Sequence, residues 1–98
     1  MSTAEVSRLP RRSGGIEVRR GDDGMELVGS HERHLVNETA LALWQLCDGQ
    51  TRPDEMIDAI CALFDAPQER VEPDVRQVLD AFARDGLIEW VSGDRGGL

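Results

Sequence analysis

Lysine is absent from this chain of 98 residues, and all 11 of its formal cations are arginine. Cysteine is scarce. Cys47 and Cys61 have no paired spacing, which argues against a disulfide framework and fits a reducing compartment. No apolar run approaches the ~20 residues of a membrane-spanning helix, so no membrane partner is expected. Met1 to Arg12 lacks the apolar centre of a signal peptide, and the expected location is the cytoplasm. Histidine occurs only at His31 and His34, with Glu32 between them. A metal site needs about three or four ligands at fixed spacing, so these two read as solvent-facing or strand-packing side chains.

A basic surface is also missing from the second part of the chain. The net charge is −8, from 19 acidic and 11 basic residues. Residues 1–36 hold six of each and are neutral, whereas residues 37–98 hold 13 acidic and five basic residues. A nucleic-acid binder of this size should show the opposite sign in its helices.

What the chain does contain is organised around Leu35 to Gly49. Asn37 can cap a helix by accepting a backbone N–H, and Glu38 suits the positive end of the helix dipole. Ala40, Leu43, Trp44 and Cys47 then share one apolar face, which Leu46 widens. Gly49 can take the left-handed conformation that ends a helix. Before this unit the pattern is strand-like. Ile16 to Arg19 alternates, Gly21 to Gly24 is a turn, and Met25 to Val28 resumes the alternation. Gly29 to Glu32 turns again, and Arg33 to Val36 forms a third short strand. After the unit, Thr51-Arg52-Pro53-Asp54 signals a second helix that ends at Asp65-Ala66-Pro67. Gln68 to Glu72 reads as a linker. Pro73-Asp74 starts a third helix with Val75, Val78, Leu79 and Phe82 on one stripe and Asp85-Gly86 as its stop. Leu87 to Val91 is apolar enough to pack back on the core as a short strand.

The expected fold is therefore α+β: a three-stranded antiparallel sheet followed by three helices, in a winged-helix-like order. Residues 16–91 form the domain, residues 1–15 a flexible arm and residues 92–98 a flexible tail.

Nothing in this pattern argues for catalysis, and no catalytic residue, metal or cofactor is expected. Cys47 and Cys61 sit on helix faces with no base linked to either, and Trp44 and Trp90 read as core. No glycine loop precedes a helix in the manner of a phosphate cradle. The conspicuous feature is an edge. Arg33 to Val36 runs straight into a helix and offers backbone groups to a neighbour. Two readings stand: an extended peptide adds there as a strand, or the N-terminal arm covers it.

The run His34-Leu35-Val36-Asn37-Glu38-Thr39-Ala40, with Leu43-Trp44 and Cys47-Asp48-Gly49, resembles the PqqD-like family of precursor-peptide recognition elements. Asp74-Val75, Val78-Leu79, Phe82 and Gly86-Leu87 continue the likeness, which covers about residues 16–91. Val36 stands where the family more often has Leu. The resemblance implies three strands followed by three helices. It also implies a non-catalytic chaperone that binds the leader of a ribosomally made precursor peptide. The guest would add beside the third strand, against the third helix, for presentation to a modifying enzyme, often a radical S-adenosylmethionine enzyme. Carried over by position, the peptide-binding candidates are Arg33, His34, Leu35 and Val36 on the strand, and Val75, Val78, Leu79 and Phe82 on the helix.

Two other classes compete. A winged-helix DNA-binding regulator would suit the element order, but its third helix offers Arg76 and Arg84 against Asp74, Asp80 and Asp85. A structural subunit could use the same edge to complete another protein's core.

Overall fold

The computed structural model describes residues 8–92. In chain order the elements are β1 (Arg8–Arg12), β2 (Glu17–Gly21), β3 (Gly24–Val28) and β4 (Arg33–Val36). Then come α1 (Glu38–Leu46), α2 (Pro53–Phe64), α3 (Gln68–Arg84) and β5 (Ile88–Ser92). The expected α+β class holds, and the three-stranded antiparallel sheet is present in the order β2-β3-β4. A second antiparallel sheet, β1-β5, accompanies it.

Both turns of the larger sheet are tight. Gly21 pairs with Gly24 across Asp22-Asp23, and Gly24 has φ +131, a conformation that side chains disfavour. The β3–β4 turn closes with the Gly29 N–H donating to the Glu32 carbonyl at 2.9 Å.

The helices begin as their caps dictate. Asn37 is extended at φ −87, ψ 178, and its Oδ1 accepts the Ala40 N–H at 2.8 Å. Ahead of α2, the Arg52 N–H donates to the Glu55 carboxylate at 2.8 Å, and Pro53 occupies the first turn, where its missing N–H forfeits nothing. Asp65 closes α2 in the left-handed region at φ 51. At the end of α3, Gly86 has φ +77 and the Leu87 N–H reaches back to the Phe82 carbonyl at 2.8 Å. That bond and the Gly86-to-Ala83 bond at 3.2 Å satisfy carbonyls that a helix end would otherwise leave open.

Two expectations are corrected. Gln68 to Glu72 is not a linker but the first turn and a half of α3, and Pro73 lies inside that helix. The ring sits on an exposed position, and Val71, buried just before it, anchors the early turn against the core. The proline forgoes one backbone bond without displacing the packing.

The second correction concerns the arm. Residues 8–12 of the expected flexible segment are a strand; residues 1–7 lie outside the described residues. β1 pairs with β5, Leu9 opposite Val91, and its other side meets the end of α1. There the Arg12 N–H donates to Cys47 O and the Gly49 N–H donates to Pro10 O, each at 2.9 Å. Leu9 and Pro10 are buried. Arg8 lies over Trp90 at 5.9 Å and Arg12 over Trp44 at 5.6 Å, so two of the arm's arginines rest on rings. Gly49, at φ +78, also makes room: a Cβ there would stand 3.3 Å from Arg11 Cδ. Of the expected tail, Ser92 ends β5, and residues 93–98 lie outside the described residues.

One core joins these parts. Leu27 from β3, Leu43 and Trp44 from α1, Met56 and Ile60 from α2, and Leu79 from α3 all belong to it. The Trp44 Nε1–H is satisfied by the Leu87 carbonyl at 3.0 Å, as burial of an indole requires.

Candidate functional site

Among the described residues, β4 has a strand on one side only. That sole neighbour is β3, with Val28 opposite Arg33, Leu27 opposite His34, Glu26 opposite Leu35 and Met25 opposite Val36. Hydrogen-bonded and non-bonded pairs alternate along an antiparallel ladder. The bond between Gly29 and Glu32 sets the phase. It assigns the bonds toward β3 to His34 and Val36, and turns the N–H and C=O of Arg33 and Leu35 outward. Of the N-terminal arm that could have covered this edge, residues 8–12 are engaged with β5 as β1, and residues 1–7 lie outside the described residues.

The side chains alternate too. His34 and Val36 share a face with buried Leu27 and point toward the helices, while Arg33 and Leu35 lie on the outer face. Leu35 is 61% exposed. Arg33 Nη1 stands 3.7 Å from Glu26 Oε1 on that outer face. On the inner face His34 Nδ1 is 3.9 Å from Asp85 Oδ2 at the end of α3, and His34 Nε2 is 3.3 Å from Glu32 Oε1. The strand edge and α3 are thus neighbours.

Just beyond the far end of β4 lies a cavity of about 160 Å³. It opens between the start of α1, the end of α2 and the N-terminal half of α3. Thr39, Ala40, Phe64, Arg70, Asp74 and Val78 line it, over a floor that includes Val71 and Val75. Dry cavities of about 150 Å³ hold a molecule the size of benzene, so one apolar side chain fits. Arg70 and Asp74 put a charge of each sign on its wall.

The four helix candidates fall into two groups. Val78 is half-buried and lines the cavity. Val75 also lines it but is only 2% exposed, while Leu79 and Phe82, at 2% and 5%, lie in the core and away from the cavity lining. Leu79 and Phe82 are therefore corrected from groove to core residues. They follow the stripe that packs α3 onto the common core, and of that stripe only Val71 and Val75 reach the cavity. The strand candidates remain together at the edge. Thr39, Ala40, Arg70 and Asp74 were not among the candidates. Arg70, Asp74 and Val78 recur every four residues, a stripe that is visible only when α3 starts at Gln68.

No group of three or more His, Cys, Asp or Glu among the described residues could hold a metal ion. No described helix is long and apolar enough to cross a membrane. The Cys47 thiol is pushed up to about 12, mainly by burial, so it is a neutral packing group.

The sequence matches the family described as Coenzyme PQQ synthesis protein D (PqqD) over residues 28–88, from the end of β3 to the start of β5. The chain belongs to the PqqD family. Both β4 and the three helices lie inside the matched span of this PqqD-family chain, whereas β1 and β2 lie outside it. A curated relative, the PqqA binding protein of Methylococcus capsulatus, is 40% identical over 56 residues. That alignment covers 57% of this chain and 58% of the relative, less than two thirds of its length. Among solved structures, TbiB1 in complex with the TbiA(beta) leader peptide is 28% identical with a TM-score of 0.66, over 81% of this chain and 94% of that one. Lasso peptide synthetase B1 complexed with the leader peptide has the same TM-score at 23% identity, over 82% and 96% of the two chains, a likeness of fold.

Proposed function

We propose that this PqqD-family chain is a non-catalytic peptide chaperone of the cytoplasm. It binds the leader of a ribosomally synthesised precursor peptide as an added strand along β4 and presents it to a modifying enzyme, of which radical S-adenosylmethionine enzymes are one class. The observation that carries this reading is the outward-facing backbone of Arg33 and Leu35, beside a cavity sized for one apolar side chain. Backbone pairing supplies orientation, and the cavity supplies selectivity. The relatives support it: one is described as binding PqqA, and two are described in complex with leader peptides. A guest carrying positive charge would meet the acidic helical part faster than a neutral one.

The test is a titration of isotopically labelled protein with a short precursor peptide encoded beside its gene. Amides of Arg33 and Leu35 shift and become protected from exchange, and Val78 methyl signals move. Saturable binding that leaves Arg33 to Val36 unperturbed would refute strand addition.

A further inference from the structure

On the other side of Ile60 and Phe64, which also line the cavity, α1 and α2 meet in two shallow depressions of about 300 and 320 Å³. Leu41, Ala42, Leu46, Ala59, Leu63 and Phe64, with buried Ile60, supply their apolar lining. The depressions share Ala42, Gln45 and Leu63, so they are neighbours along one seam. No charged residue occurs from Thr39 to Cys47 or from Ala59 to Phe64, in a chain that is 31% charged. Leu63 is 65% exposed at its centre. Leu41, Ala42, Leu46 and Phe64 also pack against the core, which accounts for their apolar character, but the core makes no use of Ala59 or of exposed Leu63.

The rim is acidic. Glu38 lines one depression. Glu55 stands in line with Ala59 and Leu63 at four-residue spacing, and Asp58 flanks that line. Of the arginines nearby, Arg52 is held by Asp54 at 3.1 Å. Arg12 lies at the other end of α1, where it donates to the Gln45 carbonyl and covers Trp44.

We propose that this seam docks a cationic amphipathic helix of a partner protein. Two adjoining depressions accept two apolar side chains one turn apart, and a basic flank meets Glu38, Glu55 and Asp58. A second copy of this chain would bring like charges together at the rim. Phe64 lines both the seam and the guest cavity, so a partner here sits beside the peptide and leaves β4 open. The identity of that partner as the peptide-modifying enzyme rests on the function proposed above; the docking surface itself does not.

The test uses two designed helices of equal length, one alternating leucine with arginine faces and one leucine with glutamate. Labelled full-length protein is titrated with each. The arginine helix binds, weakens with added salt, and shifts amides on α1 and α2. Leu63→Ser, which leaves charge unchanged, lowers that affinity tenfold or more, and Ala59→Arg does the same. Both variants keep the parent melting temperature and parent affinity for a β4-binding leader peptide. Equal binding of parent and Leu63→Ser overturns the proposal. So do equal binding of the glutamate helix, and a parent dimer that Leu63→Ser dissolves in sedimentation. Should no leader peptide bind any form while the helix result stands, the chaperone reading fails and the docking surface survives.

Discussion

His34 on β4 and Asp85 at the end of α3 approach to 3.9 Å, Nδ1 to Oδ2. On the proposed reading, this contact bounds a guest strand at one end and the cavity wall at Val78 bounds it at the other. The helical rise of ~1.5 Å per residue separates Val78 from Asp85 by ~10 Å along α3. At ~3.3 Å per strand residue, that length matches about three residues of an extended guest. A peptide bound as proposed would therefore depend on a few backbone bonds and one anchor.

Those bonds can be removed selectively. Leu35 directs its N–H away from β3, so Leu35→Pro deletes a donor that the ladder does not use and the proposed guest would. Proline is tolerated on an edge strand in that phase. Peptide affinity should fall by about tenfold or more, a lost hydrogen bond plus a steric clash, with little change in the melting curve. Val36→Pro is the control. Its N–H serves the ladder to β3, so this variant should lose about 1–3 kcal/mol of stability in urea unfolding. Equal affinity of Leu35→Pro and parent for the peptide would contradict the assigned phase.

Val78 and Leu79 are adjacent in sequence and opposite in role. Val78→Asp places a charge on the wall of the cavity and should abolish measurable capture of an apolar anchor while the fold persists. Leu79→Ala leaves a hole in the core and should cost about 2–5 kcal/mol. The two effects separate by calorimetry: a binding loss for the first, a lowered melting temperature for the second. A large drop in melting temperature for Val78→Asp would put that side chain in the core.

The contrast between these residues also marks where the sequence stopped being legible. Local signals read well: Asn37 as a cap, Pro53 in a first turn, Gly86 at a helix end. Each depends on neighbours within a few positions. β1 was illegible because its only apolar residues are Leu9 and Pro10, and its partner Val91 lies at the other end of the chain. The start of α3 was misread because Pro73 is a strong breaker by local rules, and only tertiary packing of Val71 overrides it. That error hid Arg70 and Asp74, and with them the cavity. The exposed edge at β4 was legible because a four-residue strand joined directly to a capped helix leaves little room for a second neighbour.

Asp48 offers a test by pH. Its carboxylate accepts the Gln50 N–H at 2.8 Å and the Thr51 hydroxyl at 3.0 Å. These bonds hold its pKa below the ordinary 3.8, the backbone bond from Gln50 being the largest cause. The unfolded chain thus binds this proton more readily than the folded one, and stability rises with pH across the interval. The contribution is present above 3.8 and is lost as pH falls through the lowered value. Asp48→Ala should be less stable than the parent at pH 7, and the gap should narrow as the solution is acidified below 3.8. Since the other carboxylates are common to both proteins, the difference in urea midpoints isolates Asp48. A gap that stays constant down to pH 2.5 would mean that its hydrogen bonds, rather than its charge, carry the effect.

The two thiols should separate by reactivity. Cys47 is buried, its Sγ donates to the Leu43 carbonyl at 3.3 Å, and burial pushes its pKa up to about 12. Only a thiolate attacks an alkylating reagent, so Cys47 at pH 8 is almost wholly unreactive in the folded state. Cys61 is half-buried on α2 and free. Brief treatment with iodoacetamide at pH 8 should therefore add one group, at Cys61 by mass spectrometry, and a second only in urea. Over longer times the slow labelling of Cys47 reports how often the end of α1 opens, because opening must precede attack. That opening breaks the bonds from Arg12 to Cys47 and from Gly49 to Pro10, so truncation of β1 should speed Cys47 labelling far more than Cys61 labelling. Equal acceleration of both would place the opening in the whole domain and not in the clasp between β1 and α1.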